Sequence, residues 1–291
     1  MFASVFALLG AEIDLEHAAL GGYILVGNTE QRRQSLLAEI TKYRFSGEMT
    51  CHDASQLAGR MNFAKTFVAG KTMIAPLHRV YERASGPKAK EKLGVELTAA
   101  MAMLFELLSE AAPRKVHLRD PGPNVVLYTD GAVESEGATC GAIIFPPGKQ
   151  PEFFRMKIPK EWTDSWAAAG TRHAVAQAEA FPVLVAKLTW AHYLKEVNVL
   201  TFTDNEAIRA GLIKGYSPTM ATYDILNAIG VTDFWADSTQ WIARVPSTSN
   251  PADEPSRLAA SEAIAVFGAV EVAPVVPALL ASGRAQLSPA K

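Results

Sequence analysis

The chain has 291 residues, 49% hydrophobic and 20% charged, with a net charge of −2. That is room for about two domains with sizeable cores, in the composition of an ordinary globular protein. Cys51 and Cys140 lie far apart and in no metal-ligand spacing, which sets aside a disulfide framework or zinc site and suits reduced thiols inside a cell, in nucleus or cytoplasm.

The charge is uneven. Residues 31–92 hold twelve Lys/Arg against five Asp/Glu, a surplus of +7, and the remainder is −9. A basic segment beside an acidic one suits a polyanion grip next to an acidic metal site, or else a pair of solvated helix faces. The apolar start MFASVFALLGAEIDL lacks a basic leader region and reads as a strand, not a signal peptide. Ala259–Gly283 is Ala/Val-rich, but Glu262, Glu271, Pro274 and Pro277 interrupt it, so no membrane partner is expected.

Taken in order, residues 1–28 predict a β-hairpin around the Gly21-Gly22 turn signal. A helix follows over 29–48, with Thr29 as N-cap and Leu36, Leu37, Ile40 and Tyr43 at helical spacing. A second starts near Thr50 with Asp53 in its first turn, and a third covers Ile74–Arg83. Together they make a small basic helical bundle. Residues 84–92 read as a linker, Leu93–Ala111 as an amphipathic helix, and Arg119–Pro123 (RDPGP) as a second linker and domain boundary. Strands are expected at 125–130, 139–145 and 152–158, a helix from His173 to Leu194, a strand at Val197–Thr203 and a helix at Glu206–Lys214. A helix opening at Ser217-Pro218, a strand at Gln240–Val245 and a short helix after Asn250-Pro251 complete the pattern. The domains are thus 1–28, 29–120, 121–258, and a weakly ordered tail at 259–291.

Four acids carry the chemistry: Asp130 in VVLYTDGA, Glu179 in AQAEAF, Asp204 in VLTFTDNEA and Asp253 in NPADEPSR. Their spacings of 49, 25 and 49 residues place them on different elements. Asp130 and Asp204 each end an apolar strand; if those strands are neighbours, the carboxylates lie side by side. Like charges held together raise one another's pKa, and a divalent cation relieves that cost. Hard carboxylate oxygens suit Mg²⁺ or Mn²⁺. Two such ions can activate a water and stabilise the leaving oxygen of a cleaved phosphodiester. Singly, each acid has a plainer explanation: a turn at Asp130-Gly131, a solvated helix position at Glu179, an N-cap at Asp204-Asn205, a first-turn acid at Asp253.

The stretches LYTDGA, AQAEAFPVLVA, TFTDNEA and ARVPSTSNPADEPSR resemble the ribonuclease H domain of retroelement reverse transcriptases, the DIRS-like group in particular. The resemblance implies an α/β fold with a mixed five-stranded sheet and flanking helices. It implies Asp130, Glu179, Asp204 and Asp253 as catalytic ligands of two Mg²⁺ ions, with Mn²⁺ as a substitute, and hydrolysis of the RNA strand of an RNA–DNA hybrid. LLGAEIDL is similar to the hairpin closing a reverse-transcriptase palm, and SLLAEI with LAGRMNFAKTFVAGK to the mostly helical thumb and connection region. There is no YxDD-like stretch, so polymerase chemistry is expected from a domain missing here, on a truncated polyprotein. The loop before the last acid carries Arg244 where many ribonucleases H have a histidine.

Shape and 2′-OH contacts are the expected mode of substrate recognition. Arg60, Lys65, Lys71, Arg79 and Arg83 are candidates to track phosphates, with Asn205, Arg244 and Arg257 beside the acids. Gln177 and His173 lie near Glu179 in the chain. Two rival readings remain: a non-catalytic nucleic-acid-binding remnant of a retroelement, and a DNA-directed nuclease or transposase relative on the same fold.

Overall fold

The computed structural model describes residues 3–68, 70–87, 92–118, 124–135, 137–171 and 173–279. The chain divides into two units, Met1–Pro121 and Gly122–Lys291. The expected linker Arg119–Pro123, and most of the charged part of the other, lie outside the described residues.

The first unit is more than a helical bundle with a hairpin in front. Strands β1 (Val5–Leu8), β2 (Ala11–Asp14) and β3 (Tyr23–Asn28) form an antiparallel sheet, and Arg114–His117 adds β4 alongside β3. Tyr23 pairs with His117 and Val26 with Arg114, which joins the start of the unit to its end. Between β3 and β4 run α1 (Glu30–Ser46), α2 (Cys51–Ala64), α3 (Ile74–Ala84) and α4 (Val95–Glu110). Thr29 caps α1, and Gly47 closes it in the left-handed conformation that glycine adopts without a Cβ penalty. Thr50 and Asp53 form a reciprocal capping box at the start of α2. Leu36, Ile40, Leu57, Met61, Val80, Met101 and Leu104 are fully buried between the helices.

The second unit is a mixed α/β layer structure. Strands β5 (Val125–Glu134), β6 (Gly137–Phe145) and β7 (Glu152–Lys157) run antiparallel. On the other side of β5, β8 (Asn198–Thr203) and β9 (Thr239–Arg244) run parallel to it. Helices α5 (Lys160–Ala168), α6 (Val175–Thr189), α7 (Glu206–Lys214), α8 (Met220–Ala236), α9 (Asp253–Ser256) and α10 (Ser261–Ala265) complete the unit. The mixed sheet with flanking helices implied by the resemblance is present, but it has six strands, not five: the two-residue β10 (Val270–Glu271) adds parallel to β7.

The main core joins Leu127, Ile144, Phe154 and Val199 of the sheet to Phe181, Leu184, Ile225 and Ile229 of α6 and α8. Every residue of α6 from Gln177 to Lys187 is buried, as befits a helix apolar nearly all round. Trp162 and Trp166, four residues apart on α5, press against Phe181. A smaller core places Ile143 and Phe153 against Ala260, Ala263 and Ala269.

Three further points differ from the expectations. β5 does not stop at Asp130, because β6 pairs with it as far as Glu134↔Gly137. α5 was not anticipated. Residues 259–279 are built into the second unit: Trp162 Nε1 donates to the Pro277 carbonyl at 3.2 Å, and the Val275 amide to Thr189 Oγ1 at 2.9 Å.

Candidate active site

Asp130 lies on a central strand, at the point where β5 loses its neighbour β8. Their parallel pairing runs from Val125↔Val199 to Tyr128↔Phe202. Asp130 and Asp204 each stand two residues beyond the last pair, so the shared register brings the two carboxylates together. Asp130 remains paired on its other side, to Gly141 of β6.

Glu179 is brought in by α6, and two residues explain how closely it approaches. Pro182 lies inside α6 and has no N–H to give the Ala178 carbonyl. That carbonyl lies against Gly131, where an added Cβ would come within 2.0 Å of it and 2.8 Å of the Glu179 nitrogen. Glycine at 131 is therefore what lets the helix carry Glu179 up to the strand. At Gly141 a Cβ would meet the Pro255 carbonyl carbon and Ser256 nitrogen at 2.5 Å, so this glycine admits α9 on the opposite side.

One carboxylate oxygen each from Asp130, Glu179 and Asp204 lie within 4.8 Å of one another. Asp130 is 5% exposed and Glu179 8%. Burial, then the Asp204 and Asp253 charges, push Asp130 up to about 7, against the Ser256 hydrogen bond and Arg257. Burial, then the Asp130 and Asp204 charges, push Glu179 up to about 8, with the Asn205 side chain and Gly131 amide opposing. Glu179 Oε2 and Asp204 Oδ1 are buried without a hydrogen-bond partner. Two orphaned acceptors in a cluster of hard oxygens are what a divalent cation would satisfy.

Asp253 is placed differently from the other three. It is outside the cluster, its side chain 40% exposed, with Arg257 Nη2 at 3.2 Å from Oδ1 and Nε at 3.3 Å from Oδ2. Its influence on Asp130 is electrostatic. Sequence reasoning missed two residues that fix this corner. The fully buried Ser256 hydroxyl donates to Asp130 Oδ2 at 2.5 Å and lies 2.8 Å from the Asp253 carbonyl. Asn250 donates through Nδ2 to the Thr129 carbonyl at 3.2 Å and accepts from the Ala252 amide. Both occur in SNPADEPS, where only the Asn-Pro signal pointed to a helix start.

The basic candidates divide. Arg83 is buried, donating to the Met49 and Pro87 carbonyls and to Cys51 Sγ, so it is structural and does not track phosphate. Arg60 is paired with Glu39 and donates to Ser35, and Arg79 pairs with Glu82 and Glu96. Lys65 and Lys71 are half-buried. Arg257 is engaged by Asp253, with Glu134 at 3.7 Å. Asn205 caps α7, its side-chain oxygen accepting from the Ala207 and Ile208 amides. Arg244 is exposed at the end of β9, and His173 is exposed just before α6. Gln177 is buried and donates to Thr222 Oγ1 at 2.8 Å, tying α6 to α8.

No known family model matches the chain, and no curated protein does. Among solved structures it is similar to RNase H1 of the archaeon Halobacterium salinarum NRC-1, at 16% identity and a TM-score of 0.35, over 49% of this chain and 98% of that one. It is similar to the N-terminal RNase H domain of a Mycobacterium tuberculosis protein, at 13% and 0.32, over 49% and 99%. A foamy viral protease–reverse transcriptase in complex with RNA/DNA hybrid overlaps 84% of this chain at 11% and 0.29, and this chain spans 50% of its length. The fold and the site described above rest on the strand register and the acid cluster, not on these overlaps.

Proposed function

We propose that the second unit is a metal-dependent endonuclease of ribonuclease H type that hydrolyses the RNA strand of RNA–DNA hybrids. The observation that carries this is the meeting of Asp130, Glu179 and Asp204 within 4.8 Å, with two of their buried oxygens unpartnered. Those three residues would hold Mg²⁺ or Mn²⁺, as two ions with Asp253 at the margin. When bound, the metal supplies an activated water and stabilises charge on the leaving oxygen.

The chain's own contribution is to preorganise the acids. Strand register fixes Asp130 against Asp204, and Gly131 admits Glu179. Ser256 holds one Asp130 oxygen and so sets the orientation of that carboxylate. Raised pKa values keep protons on Asp130 and Glu179 near neutrality when no cation is present, so loading the site releases protons. We further propose a retroelement setting, on the likeness of LYTDGA, AQAEAFPVLVA, TFTDNEA and ARVPSTSNPADEPSR to retroelement ribonuclease H domains.

The test is cleavage of a labelled RNA–DNA hybrid in Mg²⁺ or Mn²⁺, with EDTA and Asp130→Asn as controls. Metal-dependent cutting of the RNA strand alone, lost in the variant, supports the reading. The withdrawal of Asp253 to Arg257 favours a second reading, a nucleic-acid-binding module without turnover. Binding of the hybrid without cutting in either metal would select it.

A further inference from the structure

A cavity lies at the other end of α6 from Glu179. It has a volume of about 360 Å³ and is walled by the C-terminal ends of α6 and α8. Lys187 and Asp233 face each other in its wall, with Nζ 2.5 Å from Oδ1. Lys187 follows Glu179 by eight residues on the same helix, roughly 12 Å along its axis. The cavity is thus separate from the acid cluster.

The Lys187 ammonium is unusual in its surroundings. Its side chain is only 3% exposed, yet Asp233 is its one acceptor among the described residues. An ammonium carries three donors, so two of them lack an acceptor in a place water reaches poorly. Lys195, exposed at the rim, has no ion-pair partner among the described residues. With Asp233 balanced by Lys187, Lys195 leaves the lining at +1. Leu188, Leu194 and Trp235 supply apolar wall. A largely apolar cavity of this size with one convergent cationic group has the form of a small-ligand site.

We infer that this cavity binds a small amphipathic monoanion, a carboxylate on an aromatic or aliphatic body. The carboxylate accepts from the vacant Lys187 donors and faces Lys195, while the apolar body lies along Leu188, Leu194 and Trp235. A buried ion pair kept only for structure would instead tolerate replacement by apolar residues and bind nothing.

Biphenyl-4-carboxylate and its neutral amide are suitable probes, titrated calorimetrically into the full chain. Saturable binding of the carboxylate is expected, with the amide roughly tenfold weaker or worse, since the charge-assisted hydrogen bonds are lost. Lys187→Met alone would strand Asp233 in the interior and risks unfolding. The double variant Lys187→Met/Asp233→Leu removes both charges and keeps the volume. It should fold, and it should bind carboxylate and amide alike. Ala236→Phe keeps the ion pair but fills the cavity, and should abolish binding of both. Three results would overturn the site: no saturable binding by the intact chain up to about 1 mM, equal affinity for carboxylate and amide, or carboxylate binding that survives Ala236→Phe.

Discussion

The Ser256 hydroxyl donates to Asp130 Oδ2 across 126 residues of sequence. It ties a four-residue helix to the central strand, and it opposes the burial that raises the Asp130 pKa. Ser256→Ala should raise that pKa further, because the ionised form loses a donor. The acid limb of the pH–rate profile for hybrid cleavage should move to higher pH. Ser256→Thr, which restores a hydroxyl, should bring it back; an unmoved limb in the alanine variant would remove Ser256 from this role.

The metal-free protein should lose stability as pH rises. Asp130 and Glu179 have folded-state pKa values near 7 and 8, above the unfolded values of about 4. The folded state therefore binds more protons through that window. The stabilisation is complete below about pH 4 and is lost as pH passes through about 7 to 8. Melting in EDTA at pH 5, 6, 7 and 8 should show a falling midpoint once acid effects elsewhere are subtracted with Asp130→Asn. Saturating Mg²⁺ should flatten the curve at the alkaline end.

Gly131→Ala is expected to be severe. Its Cβ would meet backbone, not a flexible side chain, so α6 must move and carry Glu179 away from the strand. Overpacking of this kind costs about 1–3 kcal/mol or more. The variant should also lose the Mg²⁺-dependent rise in melting temperature. A normal metal response would show that Gly131 does not set the approach of Glu179.

Asp253 stands outside the cluster and is engaged by Arg257, so it should matter less than the acids inside. Asp130→Asn and Asp204→Asn should abolish detectable cutting and the metal response. Asp253→Asn should leave metal-dependent melting in place and reduce the rate by roughly tenfold, about 1.4 kcal/mol. Loss of metal binding in Asp253→Asn would place it among the ligands.

Arg83 and Lys65 should separate structure from binding. Arg83→Met strands the Met49 and Pro87 carbonyls and should cost the first unit about 1–3 kcal/mol. The salt dependence of hybrid binding should be unchanged. Lys65→Gln should do the reverse if Lys65 meets a phosphate, shallowing the salt slope by about 0.9 for one contact.

Where a short local signal decides an element, the sequence was readable. Thr29 starts α1, Thr50 and Asp53 start α2, and α7 spans Glu206–Lys214 as expected. Two apolar runs each ending in an acid suggested that Asp130 and Asp204 would meet if their strands were neighbours, and β5 and β8 do pair. What stayed hidden depends on distant partners. β4 and β10 are too short to show a period and exist because β3 and β7 offer them an edge. Asp130-Gly131 reads as a turn until β6 pairs along it. Trp162 and Trp166 do show helical spacing, and Pro159 precedes them, so the sequence carries a local signal for α5. Ser256 and Asp253 could not be told apart from other first-turn residues, since only the packing of α9 on β6 and β5 decides which of them faces Asp130.

The short pairing of β10 with β7 bears on where the second unit can safely be cut. By sequence the unit ends near Leu258. A protein trimmed there would lose Val270–Glu271 and leave that flank of β7 unpaired, with Phe153 stripped of its Ala263 and Ala269 cover. It would also free Trp162 from Pro277. An uncovered strand edge beside newly bared aromatic surface invites sheet-to-sheet aggregation. Insolubility of such a shortened protein would then reflect the missing edge and say nothing about its acids.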